Sequence, residues 1–178
     1  MGNGLWGRRI VVIDDDTDTL EILSHLLRDH GADVVAVDQS GAALATILGV
    51  MPDVLLVDIA MPGLDGVSLL RKLRSLSPER GGRIPAATLS AAANTEAEIA
   101  LWRAAGFQKH IGKPFDPAAV VAVVEELAGH WVERRGIALD RCAWPTPRER
   151  RSEQRKEPPT SFYEAIAGLS GRLAQELA

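Results

Sequence analysis

Two adjacent aspartates, Asp14 and Asp15, follow a short β-branched run, and a third, Asp58, closes another apolar run. Carboxylates that are held close together repel one another, and their pKa values rise unless a cation joins them. A hard divalent ion suits such a group, and Mg²⁺ or Mn²⁺ is typical of sites built from a few carboxylates plus water or phosphate. The three aspartates are therefore candidate metal ligands.

Two other polar residues stand at comparable positions, because Ser90 ends a later apolar run and Lys113 follows the last of them. A lysine and a hydroxyl beside a carboxylate–metal site form a receptor for a phosphoryl group, whose oxygens need positive charge and hydrogen-bond donors. A carboxylate in the same pocket can be the nucleophile and form an acyl phosphate. Singly, these residues also fit a solvated helix N-terminus, a turn or a surface lysine. Together they favour phosphoryl chemistry.

The elements that must position these side chains alternate between strands and helices. Short β-branched or apolar runs at residues 9–13, 33–37, 53–57, 85–89 and within 107–112 predict five strands, each followed by an amphipathic stretch. Five such units predict an α/β fold with a doubly wound parallel sheet and helices on both faces. Ligands bind such sheets at the carboxyl ends of the strands, so we expect all five candidate side chains to meet at one edge.

Capping signals predict where the helices begin and end. Capping-box spacing, with an acid three residues after the cap, occurs before the first and fourth helices: Asp18 with Glu21, and Thr95 with Glu98. Asp116 followed by Pro117 is typical of a helix start, and we expect this fifth helix to end near His130.

With these motifs in this order, the sequence resembles response-regulator receiver domains, the CheY-like family of two-component and phosphorelay signalling in bacteria. Residues 11–16 are similar to the first-strand motif of the family, and residues 54–66, VLLVDIAMPGLDG, are similar to its phosphoacceptor motif. Residues 84–91 and 105–115 are similar to the motifs of the fourth and fifth strands. The resemblance covers about residues 8–128 and implies a flavodoxin-like sheet of order 2-1-3-4-5 with five helices.

The resemblance also implies roles for the candidate residues. Asp58 would be the phosphoacceptor and would take a phosphoryl group from a histidine phosphodonor. Asp15 and Asp58 would bind Mg²⁺ or Mn²⁺ directly, the backbone carbonyl of Ala60 would add a ligand, and Asp14 would support the metal through water. The cofactor is therefore expected to be a divalent cation.

Two further roles concern the phosphoryl group and the switch that follows. Lys113 would pair with the phosphoryl group and Ser90 would donate a hydrogen bond to it, and the peptide bond before Pro114 is a candidate cis bond. In the family, an aromatic residue three positions before this lysine often swings inward with the hydroxyl residue. His110 stands there. We hypothesise that it is the switch side chain; the alternative is a partly exposed strand residue with no signalling role.

Beyond the receiver domain, predicted at residues 8–130, we expect a linker at 131–160 and an amphipathic C-terminal helix at 161–178. Four of the ten prolines fall within residues 143–160, which is typical of a linker. The final segment places apolar residues at helical spacing: Phe162, Ile166, Leu169, Leu173 and Leu177. It is expected to dock on its own domain, pair with a second copy or bind a partner. The broadly apolar fifth helix is either buried on two sides or another surface for a homodimer or partner.

The sequence therefore predicts a phosphoryl-accepting switch that acts through protein contacts, without an attached DNA-binding domain. Its expected partners are a sensor histidine kinase or histidine phosphotransfer protein and an unidentified downstream protein. Apart from self-phosphorylation and slow autodephosphorylation, it is not expected to be an enzyme. One alternative is a pseudo-receiver used only for binding. Another is an aspartate-nucleophile, Mg²⁺-dependent phosphatase of the haloacid-dehalogenase type. Residues 14–17 superficially resemble the signature motif of that enzyme class. This alternative, however, leaves the motif around Asp58 without a role.

Composition is consistent with one ordinary domain plus an appendage. The 178 residues are 46% apolar and 25% charged, which is typical of a globular protein, and the net charge of −4 argues against wholesale nucleic-acid binding. No apolar run approaches the ~18 residues of a membrane span, and residues 1–9 lack the apolar core of a signal peptide. Cys142 is the single cysteine, which excludes an internal disulfide. We expect a cytoplasmic protein with no membrane or direct DNA contact.

Overall fold

Five parallel strands form one sheet of order β2-β1-β3-β4-β5 in the computed structural model, which describes residues 4–63, 65–90 and 95–135. The strands are β1 (Arg9–Ile13), β2 (Asp33–Val37), β3 (Val54–Asp58), β4 (Ala86–Ser90) and β5 (Lys109–Gly112). The helices are α1 (Thr17–Asp29), α2 (Ser40–Val50), α3 (Gly66–Arg74), α4 (Glu96–Ala105) and α5 (Pro117–Arg135), with a 3-10 turn at Pro78–Arg80. The predicted flavodoxin-like fold and strand order are confirmed.

The sheet separates two apolar cores, one on each face. Val11 and Ile13 of β1 join the core beneath α2, α3 and α4, whereas Ile10 and Val12 join the core beneath α1 and α5. Successive side chains of a strand point to opposite faces, so a strand covered on both faces must be apolar throughout. The central strand β3 is buried over its whole length, and Asp58 is its last residue. The fold therefore places the Asp58 carboxylate at the edge of the apolar core.

The two predicted capping boxes, which look alike in the sequence, have different outcomes in the structure. The predicted capping box of Thr95 and Glu98 is confirmed, because each donates its amide to the other's side chain, at 2.8 and 3.3 Å. The predicted cap at Asp18 is wrong. The carboxylate of Asp16 accepts the amide of Asp18 at 3.1 Å and the hydroxyl of Thr19 at 2.7 Å, so α1 begins at Thr17.

The fifth helix begins at Pro117 as predicted but continues to Arg135, beyond the expected end near His130. Residues 131–135 contain neither glycine nor proline, and the next helix-breaking residue is Gly136. The first five residues assigned to the linker are therefore helical. The rest of the predicted linker and the predicted helix at 161–178 lie outside the described residues. Within the part of the chain that is described, no helix is both long and apolar enough to cross a membrane.

Candidate functional site

The candidate side chains meet at the carboxyl edge of the sheet because each stands at or just after the end of a strand. Ile13 and Val57 are register partners in β1 and β3, so the residues that follow them, Asp14 and Asp58, lie side by side. Ser90 ends β4, and its carbonyl accepts the backbone amide of Lys113 at 2.7 Å. The peptide bond between Lys113 and Pro114 is cis.

The ammonium group of Lys113 bridges two carboxylates. Its Nζ lies 2.7 Å from Asp14 Oδ2 and 3.0 Å from Asp58 Oδ1. The side chain of Asp14 is fully buried, and that of Asp58 is only 6% exposed. Charged groups removed from water in this way need a partner, and the lysine supplies it from an element 99 residues away from Asp14.

Backbone amides hold the other oxygens of the same carboxylates. The amide of Asp16 donates to Asp14 Oδ1 at 3.0 Å, and the amide of Ala60 donates to Asp58 Oδ2 at 2.8 Å. Each carboxylate therefore has one oxygen fixed by the turn that follows its strand and one oxygen directed to the lysine. Charge-assisted bonds of this kind orient a carboxylate before any ligand arrives.

One ammonium does not compensate the negative charge gathered at this edge. Burial raises the pKa of Asp14, the hydrogen bonds from Lys113 and the Asp16 amide oppose that rise, and the charge of Asp58 adds to it. Burial alone lowers the pKa of Lys113, but its hydrogen bonds to the two carboxylates outweigh burial, so its pKa lies above the usual value. The lysine stays charged and the site retains an excess of negative charge.

That excess suits a divalent cation. Asp14, Asp15 and Asp58 each offer a carboxylate oxygen, and these oxygens lie within 4.8 Å of one another. A set made of carboxylate oxygens fits Mg²⁺ or Mn²⁺ rather than a soft metal. Asp15 is exposed, unlike the other two, so a hydrated ion can approach from solvent. The residues present therefore fit the expected metal.

An open cleft of about 710 Å³ lies over these groups. Besides the three aspartates, Ala60, Ser90 and Lys113 line it, so the residues predicted to bind the metal and the phosphoryl group share one cleft. Helices α3 and α4 and the cap of α3 form its other walls. The sequence assigned no binding role to the residues there: Asp65, Val67, Ser68, Arg71, Glu98, Leu101 and Trp102. The cleft is large enough for a phosphoryl group together with the hydrated metal.

His110 lies outside this cleft. Its Nδ1 is 3.1 Å from the hydroxyl oxygen of Thr88, and its ring centroid is 5.2 Å from that of Trp102. Strand periodicity could have singled out Thr88, because it stands two residues before Ser90 on the same face of β4. No sequence signal marked Trp102, whose contact depends on how α4 crosses β5.

Helix α3 approaches the end of β3 so closely that only glycine fits at its first position. A Cβ on Gly66 lies 2.3 Å from the backbone oxygen of Asp58 and 3.0 Å from the side chain of Val57. The Gly66 amide also donates to the carbonyl of Ile59 at 3.3 Å. This contact couples the start of α3 to the position of the Asp58 carboxylate.

We expect Gly66→Ala to lower the free energy of unfolding by about 3 kcal/mol, since the clash is with backbone and cannot be relieved by a rotamer change. The matched control is Gly49→Ala near the end of α2, where an added Cβ meets no described atom within 4 Å. Alanine is the better helix former, so this control is expected to gain about 0.5 kcal/mol. Urea unfolding of both variants measures the difference, and equal stabilities would contradict the close approach.

Comparison with known proteins agrees with this geometry. The family model described as the response regulator receiver domain matches residues 10–125. The chain is 36% identical over 117 residues to an uncharacterized 14.6 kDa protein in the sodA1 3′ region of Leptolyngbya boryana, covering 66% of this chain and 87% of that protein. It is 33% identical over 117 residues to the DNA-binding response regulator MtrA of Mycobacterium tuberculosis, covering 66% of this chain but 49% of MtrA. The chain thus spans about half of that relative.

Among solved structures, the receiver domain of a sensor histidine kinase from Pseudomonas aeruginosa superposes with a TM-score of 0.62 at 27% identity. The match covers 69% of this chain and 98% of that domain. That structure is described with a magnesium ion coordinated in its active-site cleft.

Proposed function

Because the chain belongs to the response regulator receiver domain family, we propose that Asp58 accepts a phosphoryl group from a histidine phosphodonor in a two-component or phosphorelay system. The observation that carries the proposal is the bridge from Lys113 to Asp14 and Asp58, at 2.7 and 3.0 Å, in the cleft that Ser90 also lines. A nucleophile and a fixed cation are thus in contact, and a hydroxyl donor lines the same cleft.

In the transfer step, an oxygen of Asp58 attacks phosphorus and an O–P bond forms. The P–N bond of the donor breaks, and the donor imidazole keeps its electron pair. Lys113 Nζ is already 3.0 Å from an Asp58 oxygen, so it can pair with the phosphoryl oxygens without a large movement. Preorganised positive charge of this kind is the main source of catalysis in phosphoryl transfer.

Asp14, Asp15 and Asp58 would hold Mg²⁺ or Mn²⁺, with the Ala60 carbonyl as the ligand that the family resemblance implies. When bound, the ion supplies positive charge beside the phosphoryl oxygens. The magnesium described in the Pseudomonas receiver domain supports this assignment. The fully buried Asp14 contributes charge while its second oxygen stays on the Asp16 amide.

The output of the switch is a change in protein contacts. Ser90 would turn its hydroxyl toward the phosphoryl group, and its carbonyl already binds the Lys113 amide, so its movement reaches β5 and His110. Partners would be a sensor histidine kinase or histidine phosphotransfer protein and a downstream protein, in the cytoplasm. The DNA binding named for MtrA is not carried over, since this chain matches only about half of that protein.

Phosphoryl uptake tests the proposal directly. The full chain is incubated with acetyl phosphate, and separately with a phosphorylated histidine phosphotransfer protein, with Mg²⁺ or with EDTA, and its intact mass is measured. One added phosphoryl group, seen only with the metal, supports the proposal. A folded chain that takes up nothing from either donor would instead be a binding module.

The metal assignment makes a separate prediction about Asp15. Its side chain is exposed, so Asp15→Asn is expected to leave folding unchanged but to weaken Mg²⁺ binding by roughly 10- to 100-fold, because one charge beside the ion is lost. Isothermal titration calorimetry measures the affinity. Asp18→Asn, which removes an exposed acid from the first turn of α1, is the control and should bind as the wild type does. Equal weakening in both variants would contradict a built metal site.

A further inference from the structure

Arg74, the last residue of α3, is a half-buried cation whose partners are backbone carbonyls. Its guanidinium donates to the Gly106 oxygen from Nε at 3.3 Å and from Nη2 at 2.9 Å, and to the Gly82 oxygen from Nη1 at 3.2 Å. Within the described part of the chain, no carboxylate forms an ion pair with it. Burial lowers the pKa of Arg74 to about 10, so the group stays charged at neutral pH. A charge withdrawn from water needs partners, and here the end of another helix supplies them.

Gly106, which caps the C-terminal end of α4, is shaped to receive this guanidinium. Its φ is 103°, and an added Cβ lies 2.6 Å from Arg74 Nε, so the guanidinium packs directly against the glycine. The side-chain amide of Gln108 donates to the same Gly106 oxygen at 3.0 Å, and its Oε1 accepts the amide of Ala86 in β4 at 2.7 Å. A cation is also favourable at the negative end of a helix dipole. The end of α4 is therefore held by α3 and by the sheet.

The two ends of α4 differ in how deeply they are packed. Trp102 and Ala105, together with Phe107 just after the helix, are at most 5% exposed and belong to the apolar core. Residues 95–98 at the other end are all exposed, and Leu101 is 47% exposed. A segment with few buried apolar contacts has a low free energy of local opening. The N-terminal half of α4 is therefore held much less firmly than its C-terminal end.

This difference matters because α3 and α4 are walls of the cleft over Asp58. Each of the two helices connects neighbouring parallel strands, so both begin at the carboxyl edge and run away from it. Arg74 joins them at their far ends. At the near end, α3 is fixed by the close approach of Gly66 to the Asp58 backbone, whereas α4 contributes the exposed Glu98 and Leu101 to the cleft. One wall is thus fixed at both ends and the other mainly at its far end.

We propose that Arg74 is a positioning residue that fixes the C-terminal end of α4 against α3, so that the α4 wall of the cleft opens from its N-terminal half while its C-terminal end stays in place. Without the guanidinium, Gly106 loses its bonds to α3, and the C-terminal end of α4 opens more often as well. This opening does not require phosphorylation. Its consequence for the width of the phosphoryl site rests on the proposed function.

The test is residue-resolved hydrogen exchange of backbone amides in the full, unphosphorylated chain. The Ile99 amide reports the N-terminal half of α4, the Phe107 amide reports its C-terminal end, and the Leu56 amide in the central strand reports global unfolding. In the wild type, we expect Ile99 to exchange at least about tenfold faster than Phe107. Arg74→Met keeps the stem but has no donors. Relative to Leu56, it should lower the protection of Phe107 by about tenfold and leave that of Ile99 unchanged.

Matched variants decide the outcome. Arg74→Lys keeps the charge but offers one donor group, so the protection of Phe107 should lie between the wild type and Arg74→Met; it also serves if Arg74→Met does not fold. Lys72→Met, on the exposed face of the same helix, should leave the exchange pattern unchanged. Equal protection of Ile99 and Phe107 in the wild type, or no selective loss at Phe107 in the folded Arg74 variants, would overturn the proposal. Because Asp58 is intact and unmodified throughout, failure here leaves the phosphoacceptor proposal untouched.

Discussion

Asp58→Asn is expected to abolish phosphoryl uptake completely while leaving the fold intact. An amide nitrogen or oxygen is not a nucleophile toward phosphorus under these conditions, so no acyl phosphate can form. In the wild type, the amide of Ala60 donates to Asp58 Oδ2 at 2.8 Å, and the asparagine oxygen can accept the same hydrogen bond. The substitution also removes a negative charge that acts on the buried Asp14 carboxylate. The new amide nitrogen cannot accept from Lys113 Nζ, but Lys113 keeps its bond to Asp14 at 2.7 Å. The lost bond and the relief of negative charge oppose each other, so the midpoint of thermal unfolding should change little.

Intact mass after incubation with acetyl phosphate and Mg²⁺ measures the effect. The matched control is Asp65→Asn, which changes another carboxylate in the same cleft. Asp65 caps α3 by accepting the amide and hydroxyl of Ser68, at 2.8 and 2.7 Å, and asparagine also serves as a helix cap. The control should gain one phosphoryl group like the wild type. An adduct on Asp58→Asn would mean that another residue is the acceptor.

The sequence was informative about this site because each strand end is marked by a local change from apolar to polar residues. The parallel sheet then brings these strand ends together. Apolar runs indicate where β1 and β3 end, and parallel connection puts those ends at one edge. The end of β1 agrees with the structure, and that of β3 lies one residue beyond the predicted Val57, so that Asp58 belongs to the strand itself. Such a shift is small because the residues flanking a buried strand end change abruptly from apolar to acidic.

The sequence was less informative where neighbours of the same type divide their roles. Asp14, Asp15 and Asp16 are consecutive, and each could cap a helix or bind a cation. In the structure, Asp14 turns inward to Lys113, Asp15 faces solvent, and Asp16 caps α1. Only the direction of the chain after β1 separates these roles. The carboxyl groups are chemically identical, so composition and spacing carry no signal that distinguishes them.

Contacts between distant elements are the second kind of information that spacing cannot supply. Trp102 lies against His110 because of the way α4 crosses β5. In the sequence, Trp102 is only an apolar residue on the buried face of an amphipathic helix, and that pattern does not say which residue it contacts. The double contact of Lys113 is similar. The pattern predicts that the lysine reaches the acidic edge, but only the geometry shows one ammonium holding both Asp14 and Asp58.

That double contact leads to the second large effect, in Lys113→Met. Methionine has a stem of similar length but no charge, so Asp14 is left fully buried without its cation. Removing one partner of a buried ion pair is strongly destabilising, and we expect a loss of about 3 kcal/mol in the free energy of unfolding at about pH 8 in EDTA. Lys72→Met, on the exposed face of α3, is the control and should change stability by less than about 0.5 kcal/mol.

The pH dependence of that loss has a definite sign. The pKa of Lys113 lies above its usual 10.5, so in the wild type the ammonium stays charged between about pH 5 and pH 8 and its own titration adds no pH dependence there. The pKa of Asp14 is raised already and rises further without the lysine, so at about pH 5 the carboxyl group can avoid a buried charge by binding a proton. The difference between Lys113→Met and the wild type should therefore be smaller at pH 5 than at pH 8. Urea unfolding at both values measures it.

Magnesium supplies an independent check on the cause. If the loss arises from uncompensated carboxylates, millimolar Mg²⁺ should stabilise Lys113→Met more than it stabilises the wild type, because the ion then meets the negative charge without competition from the ammonium. A loss that is the same with Mg²⁺ and with EDTA, and the same at both pH values, would instead indicate that it arises from the way methionine packs at this position and not from the carboxylate charges. The bridging ammonium would then not be the group that holds this edge of the sheet together.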